Sequence, residues 1–160
     1  MNFEIERASL DDIPHIQKLT KKLFKYEIEN KFDDNLDSEW SYTEEGKNEL
    51  TERLSSDNSI GFIAKINNEI IGYLIGLILE EETGRIDSRY GEMEHMFINE
   101  NARGNNIGEN LIKEFKKWAG TKNIKRIKAN VSFKNTKAID FYKRIGLIPV
   151  DIVLVGEINN

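Results

Sequence analysis

Cysteine is absent from the 160 residues, and proline and histidine occur only twice each. Without a thiol there is no disulfide, no thiolate zinc or iron–sulfur site and no cysteine nucleophile. His15 and His95 are too few for a histidine-rich metal centre, so no metal is expected. The missing cysteine also fits a reducing compartment. Long apolar runs are lacking too. The longest, Ile70 to Leu79, is broken by Gly72 and Gly76 and falls far short of the ~20 residues a membrane-spanning helix needs. The first residues, Met-Asn-Phe-Glu-Ile-Glu, show neither a basic head nor an apolar signal region. The expectation is a soluble, cytoplasmic protein with no membrane partner.

Hydrophobic residues make up 39% and charged residues 32% of the chain, which excludes bulk disorder. At this length roughly 68–70% of the unfolded surface should be buried, enough for one core and a single domain over residues 1–160. Net charge is −5, but it is unevenly spread. Residues 27–57 hold eleven acids against three bases, whereas residues 103–144 hold twelve bases against three acids. One half should attract a cation and the other an anion, which favours two substrates over two solvated faces. Nucleic acid is a poor candidate for the basic half, because no aromatics are interleaved there as a stacking platform.

Local patterns give the order β-α-α-β-β-β-α-β-α-β, an α/β fold with a mixed, mostly antiparallel sheet and helices on both faces. Phe3 to Arg7 alternates as a strand, and Ser9 with Asp11, Asp12 and Pro14 opens a helix that carries Ile13, Ile16, Leu19, Leu23 and Phe24 on one face. A second helix is expected over Thr43 to Leu54. Ile60 to Ile66 and Glu69 to Leu79 flank Asn67-Asn68 and read as a hairpin, Glu80 to Arg89 as a charged loop and Glu92 to Ile98 as a strand. Ile107, Leu111, Phe115 and Trp118 mark a helix, and Arg126 to Phe133 a strand. A last helix from Asn135 stops at Gly146, and Val150 to Ile158 closes the sheet.

Chemistry concentrates in Glu92-Met-Glu-His-Met-Phe-Ile-Asn-Glu-Asn-Ala-Arg-Gly-Asn-Asn-Ile-Gly108. A strand leads through Arg103-Gly104-Asn105-Asn106-Ile107-Gly108 into a helix, where free backbone N–H groups and the positive helix end form an anion cradle. The spacing fits neither a dinucleotide fingerprint nor a P-loop. Taken alone, the loop also reads as a glycine-rich helix entry that holds nothing. A second motif lies downstream: Asn135-Thr-Lys-Ala-Ile-Asp-Phe-Tyr-Lys-Arg-Ile-Gly-Leu.

Together the two stretches resemble the GNAT superfamily of acetyl-CoA-dependent N-acetyltransferases over nearly the whole chain. Arg103 and Gly108 match the ends of its phosphate-loop pattern; Asn135, Ala138, Phe141, Tyr142 and Gly146 match its downstream pattern. Asn106 departs from the usual middle glycine, although Asn tolerates positive φ better than most residues, and Leu147 replaces a phenylalanine.

The resemblance implies acetyl-CoA as co-substrate. The backbone of Met96, Phe97 and Ile98 would pair with its pantetheine arm as an added strand. An N–H near Phe97 or Ile98 would polarise the thioester carbonyl. The amides of Gly104, Asn105, Asn106, Ile107, Gly108 and Glu109 would hold the pyrophosphate, with the basic run at Lys134 and Lys137 facing the 3′-phosphate. Asn135 would hydrogen-bond the arm, or serve as a plain helix cap. Ala138 and Phe141 would also contact the co-substrate. Tyr142 would protonate the departing thiolate. An isolated tyrosine on an apolar face is an ordinary core aromatic; its register with Asn135 favours the acid. A lysine-like amine is neutral about once in ~2,500 molecules at pH 7, so a proton must leave it. Glu94, then Glu92, are the candidate bases, two apart on one strand face, against a competing reading as solvent-facing acids. His95 should point the other way and be structural, as should His15.

In this family the first two helices and their connection cover the acceptor. Tyr26, Asp33, Asp34, Asp37, Trp40 and Tyr42 there suit a cationic amine, with acids for charge and aromatics for cation–π contact, against an equal reading as a solvated loop. The leading expectation is acetyl transfer to a small primary amine. The alternatives are a peptide N-terminus or lysine as acceptor, which needs an open groove, and a non-catalytic acyl-CoA-binding module. Dimers are frequent in the superfamily, so a homodimer is admitted.

Overall fold

Side-chain capping sets the first helix. In the computed structural model, which describes residues 2–80 and 84–158, the Ser9 amide and hydroxyl both donate to Asp12 Oδ2, at 2.8 and 2.9 Å. A short 3₁₀ turn, Leu10–Asp12, then leads into α1 (Ile13–Glu29). Thr43 caps α2 (Glu44–Ser55) by accepting from the Gly46 amide. Asn67 and Asn68, at φ 49° and 65°, turn the chain between β2 (Ser59–Ile66) and β3 (Glu69–Glu80), the left-handed geometry of a tight hairpin. With β1 (Glu4–Arg7), β4 (Arg89–Ile98) and β5 (Ile127–Ala129) they form a sheet of order β1-β2-β3-β4-β5. The first four strands are antiparallel and β5 runs parallel to β4.

Helices cover both faces. On one, α3 (Ile107–Thr121) buries Ile107, Leu111, Ile112 and Phe115 against Phe62, Leu74 and Met93, and α4 (Thr136–Arg144) adds Phe141 and Tyr142. On the other, Ile16 and Leu19 of α1 and Leu50 of α2 pack on Ile63, Tyr73, Ile75 and Phe97. At about 1.5–3 kcal/mol per fully buried large apolar side chain, these two layers carry the fold. Gly76 keeps the sheet thin under α3: a Cβ there would lie 2.3 Å from the Phe115 ring.

Four expectations change. The strand over Arg126 to Phe133 shrinks to Ile127–Ala129, because Asn130 turns its amide to Glu92 and Ser132 turns its hydroxyl to the Phe32 carbonyl, drawing the chain off the ladder. Val150 to Ile158 forms no strand. Its alternation defines two faces that could be buried, but a strand also needs a hydrogen-bonding neighbour, and β5 offers an edge of only three residues. His95 lies on the α1/α2 face rather than the opposite one. A bulge leaves Glu94 unmatched between the pairs Ile75↔His95 and Gly76↔Met93, and so resets the alternation. Glu80 and Arg89 belong to β3 and β4, while residues 81–83 of the charged loop lie outside the described residues.

The turn Trp40–Tyr42 rests on α2 at Gly46, where a Cβ would sit 2.1 Å from the Trp40 carbonyl oxygen. Gly46→Ala should therefore destabilise by on the order of 1–3 kcal/mol in thermal unfolding. Gly120→Ala, in open space on α3, is the control and should be neutral or stabilising. Equal midpoints for the two variants would show that the turn is not held on α2.

Candidate active site

β4 and β5 pair only at Gly91↔Ile127, Glu92↔Lys128 and Met93↔Ala129. Beyond Met93 they part. The β5-side edge of residues 94–98 then has no strand beside it among the described residues, leaving N–H and C=O groups able to receive an extended ligand. Met96, Phe97 and Ile98 lie along this edge, with Phe97 buried in the α1/α2 layer. The Arg103 side chain closes the far end: its Nε donates to the Ile98 carbonyl at 3.0 Å, and its guanidinium lies over the Phe97 and Tyr26 rings.

Past that end the backbone curls into a cradle. Gly104 and Asn106 hold φ of 79° and 61°, and Asn105 steadies the bend by donating to the carbonyls of Ala102 and Arg103. Asn106 precedes α3 without a side-chain cap, and the first helical bond runs from the Asn110 amide to the Asn106 carbonyl. Among the described residues, the amides of residues 104–109 therefore find no protein acceptor. Successive free N–H groups at a helix N-terminus suit a phosphate. A Cβ at Gly104 would meet nothing within 4 Å, whereas one at Gly108 would press 3.1 Å from the Phe141 ring. Gly104 thus leaves the cradle open, and Gly108 lets α4 dock on α3. These residues fit a pyrophosphate.

α4 forms the second wall. Asn135 caps it, accepting from the Ala138 amide at 3.1 Å, which is the plain cap reading; its side-chain NH₂ remains a donor. Phe141 and Tyr142 meet edge to face, 5.2 Å between centroids. Burial pushes the Tyr142 phenol up to about 12, and the Glu27 carboxylate adds to the rise. At neutral pH this phenol keeps its proton.

The carboxylates have distinct settings. Glu92 is buried, accepts from Asn130 Nδ2 at 2.7 Å and has Lys128 Nζ at 4.0 Å. Glu94, in the bulge, receives Arg53 in a two-point grip, Nε and Nη2 at 2.8 and 2.9 Å, and Arg53 also holds Glu49. His95 stands edge-on to Phe24 and Trp40 at 5.6 and 5.9 Å, and its buried Nδ1 has no partner among the described residues. Burial lowers its pKa; the Glu94 charge opposes this and Arg53 reinforces it. Glu27 went unnoticed in the sequence. Burial is the first cause of its raised pKa, with Asp33 second. A signal was present, since Glu27 follows Phe24 by three residues and so continues the buried stripe of α1.

The acceptor-side residues divide. Tyr26 meets Phe32 at 5.8 Å and the Arg103 guanidinium at 5.2 Å, and Trp40 stacks on Phe24 at 5.7 Å and meets His95 at 5.9 Å. Asp33 and Asp37 cap the amides of Asn35 and Glu39, and Asp34 is exposed. Tyr42 is not brought to the cleft: it lines a separate cavity of about 700 Å³ with Lys18, Lys21, Lys22 and Lys25. The connection between α1 and α2 roofs the cleft, its Phe32 and Lys31 carbonyls accepting from Ser132 Oγ and Lys134 Nζ at 2.9 and 3.2 Å.

A run of free amides beside an open strand edge, with a protonated phenol on α4, suits an extended ligand that carries phosphate. The sequence profile of the acetyltransferase (GNAT) family matches residues 22–147, and the chain belongs to that family. The fold is similar to the aminoglycoside N-acetyltransferase AAC(6')-Iy in complex with CoA: 18% identity, TM-score 0.79, covering 99% of this chain and 96% of that one. A predicted acetyltransferase from Clostridium acetobutylicum with acetyl-CoA has 21% identity and a TM-score of 0.76, over 99% and 96% of the two chains. An aminoglycoside acetyltransferase from an uncultured soil metagenomic sample, in complex with trehalose, has 19% identity and a TM-score of 0.70 at the same coverage.

A carboxyl whose folded pKa is raised contributes stability while protonated and loses it as pH rises through that value. Burial of Glu27 thus predicts that Glu27→Gln raises the thermal midpoint near pH 8 and leaves it nearly unchanged near pH 4. The same difference at both pH values would show that Glu27 ionisation carries no folding penalty.

Proposed function

We propose that this protein transfers the acetyl group of acetyl-CoA to a primary amine, a small cationic molecule, in the cytoplasm. The observation that carries this reading is the run of unsatisfied amides at residues 104–109, set beside the open edge of β4. The roof from the α1–α2 connection to Ser132 and Lys134 favours a small acceptor over a peptide, which would need an open groove. Glu27, Asp33 and Asp34 supply negative charge on that side, with Tyr26 and Trp40 as aromatic walls. The remote position of Tyr42 makes it the weakest of the acceptor residues.

Acetyl-CoA supplies the activated thioester. The amides of Gly104 to Glu109 hold its pyrophosphate, and the edge at Met96, Phe97 and Ile98 aligns the pantetheine arm with help from Asn135 and, by shape, Ala138 and Phe141. A backbone N–H at Phe97 or Ile98 stabilises charge on the carbonyl oxygen. As the amine nitrogen bonds to the carbonyl carbon and the carbon–sulfur bond breaks, Tyr142 gives its proton to the sulfur. Glu94 takes the proton the nitrogen loses, through water where contact is indirect. Arg53 holds the Glu94 carboxylate in place through Nε and Nη2. Glu92, bound to Asn130, fixes the point where the strands part.

The test combines acetyl-CoA with a panel of small amines and peptides, following thiol release and acceptor mass. Acetylated small amines are expected; exclusive peptide acetylation would reassign the acceptor, and binding of acetyl-CoA without any product would leave only a binding module. Tyr142→Phe should lower kcat by about 10²–10⁴ while preserving acetyl-CoA affinity. Parallel loss of both would make Tyr142 architectural.

A further inference from the structure

α1 carries a stripe of one sign. Residues 13–25 hold Lys18, Lys21, Lys22 and Lys25, with His15 and no acid, in a chain of net charge −5. Steps of three and four residues bring these lysines to one side of the helix. Lys18 and Lys22, like Lys21 and Lys25, are equal charges four apart, which repel and weaken the helix that bears them. Lys21 is answered by Glu39 and lies over the Tyr42 ring, 5.7 Å from its centroid. Lys18, Lys22 and Lys25 form no ion pair among the described residues.

The stripe lines the cavity of about 700 Å³ that also holds Tyr42, a volume in the range of small-molecule clefts. The turn between β2 and β3 contributes the side-chain amides of Asn67 and Asn68. Asn99 contributes a third and holds Lys22, its Oδ1 accepting from Nζ at 3.0 Å. Glu69 is the single acid among the described lining residues. Neither the cradle of residues 104–109, nor the open edge at residues 96–98, nor α4 reaches this cavity. We propose that it is a second anion site, for a small molecule bearing a chain of two or three phosphates. Lys18 and Lys25 are seven residues apart, about 10 Å along the helix, so their flexible ammonium groups gather around several phosphates rather than one carboxylate. The asparagines add neutral donors. A polynucleotide fits poorly, because its phosphates continue past so short a row of lysines. The Tyr42 ring, about half exposed, suits the base of a nucleotide, so the phosphates belong to a nucleoside triphosphate or to free polyphosphate. The site stands independently of the acetyl-transfer reading.

The experiment is calorimetric titration of the intact chain at physiological salt with ATP and, separately, with inorganic triphosphate. Each is run with and without excess CoA. Binding of a probe is expected to persist in excess CoA, a readout that needs no variant to fold. Lys18→Ala, Lys22→Ala and Lys25→Ala together should weaken that binding about tenfold or more, through lost charge-assisted hydrogen bonds. Lys113→Ala, Lys116→Ala and Lys117→Ala remove the same charge from exposed positions of α3, across the sheet, and should change it less than about twofold. Tyr42→Ala then separates the sources: a loss confined to ATP identifies a nucleotide, and unchanged binding identifies free polyphosphate. Three results would each overturn the proposal. They are no binding of either probe at about 1 mM, displacement of both by CoA, and equal weakening by the two lysine variants.

Discussion

Everything at this site depends on two parallel strands that stay together for three residue pairs and then separate. While paired, β4 and β5 form the end of an ordinary sheet; once apart, they leave backbone groups open to an extended ligand. The separation is enforced from both sides. The bulge at Glu94 bends β4, and the side chains of Asn130 and Ser132 divert the chain after β5. Polar side chains that would be misplaced in a regular sheet are here what keeps the cleft open.

Onto that separation the helices place opposite electrical tasks. The entry to α3 presents amide hydrogens and suits an anion, while the roof and the end of α1 present carboxylates and suit a cation. The phenol of Tyr142 sits between them, protonated because it is buried and because a carboxylate is near. Burial sets the state of His95 in the other direction, favouring its uncharged imidazole beside the Arg53–Glu94 pair. One degree of water exclusion thus sets two protonation states on a single cleft.

Much of this was legible in the residues. Helix positions followed from caps and apolar spacing, as with Ser9 and Asp12, and Asn67-Asn68 announced the hairpin. The cradle could be read because left-handed bends need glycine or asparagine, and Gly104 and Asn106 occupy those positions. What period-two reasoning could not reveal was the bulge, since one unmatched residue reverses the side of everything after it; His95 was misplaced for that reason alone. Glu27 was obscured by its neighbours, because it continues the apolar stripe of α1 at the start of a long acidic run. The tail shows the converse, because hydrophobic alternation specifies what a strand would bury and is silent on which edge receives it.

The roof has a thermodynamic consequence. Lys134 and Ser132 stand on the donor side, yet their hydrogen bonds end on carbonyls of the acceptor side, at Lys31 and Phe32. Any carrier that recruits Lys134 shifts the equilibrium position of the opposite loop, so the two ligands are linked by a shared free energy. Linkage is reciprocal: whatever factor the carrier applies to the amine's dissociation constant, the amine must apply to the carrier's.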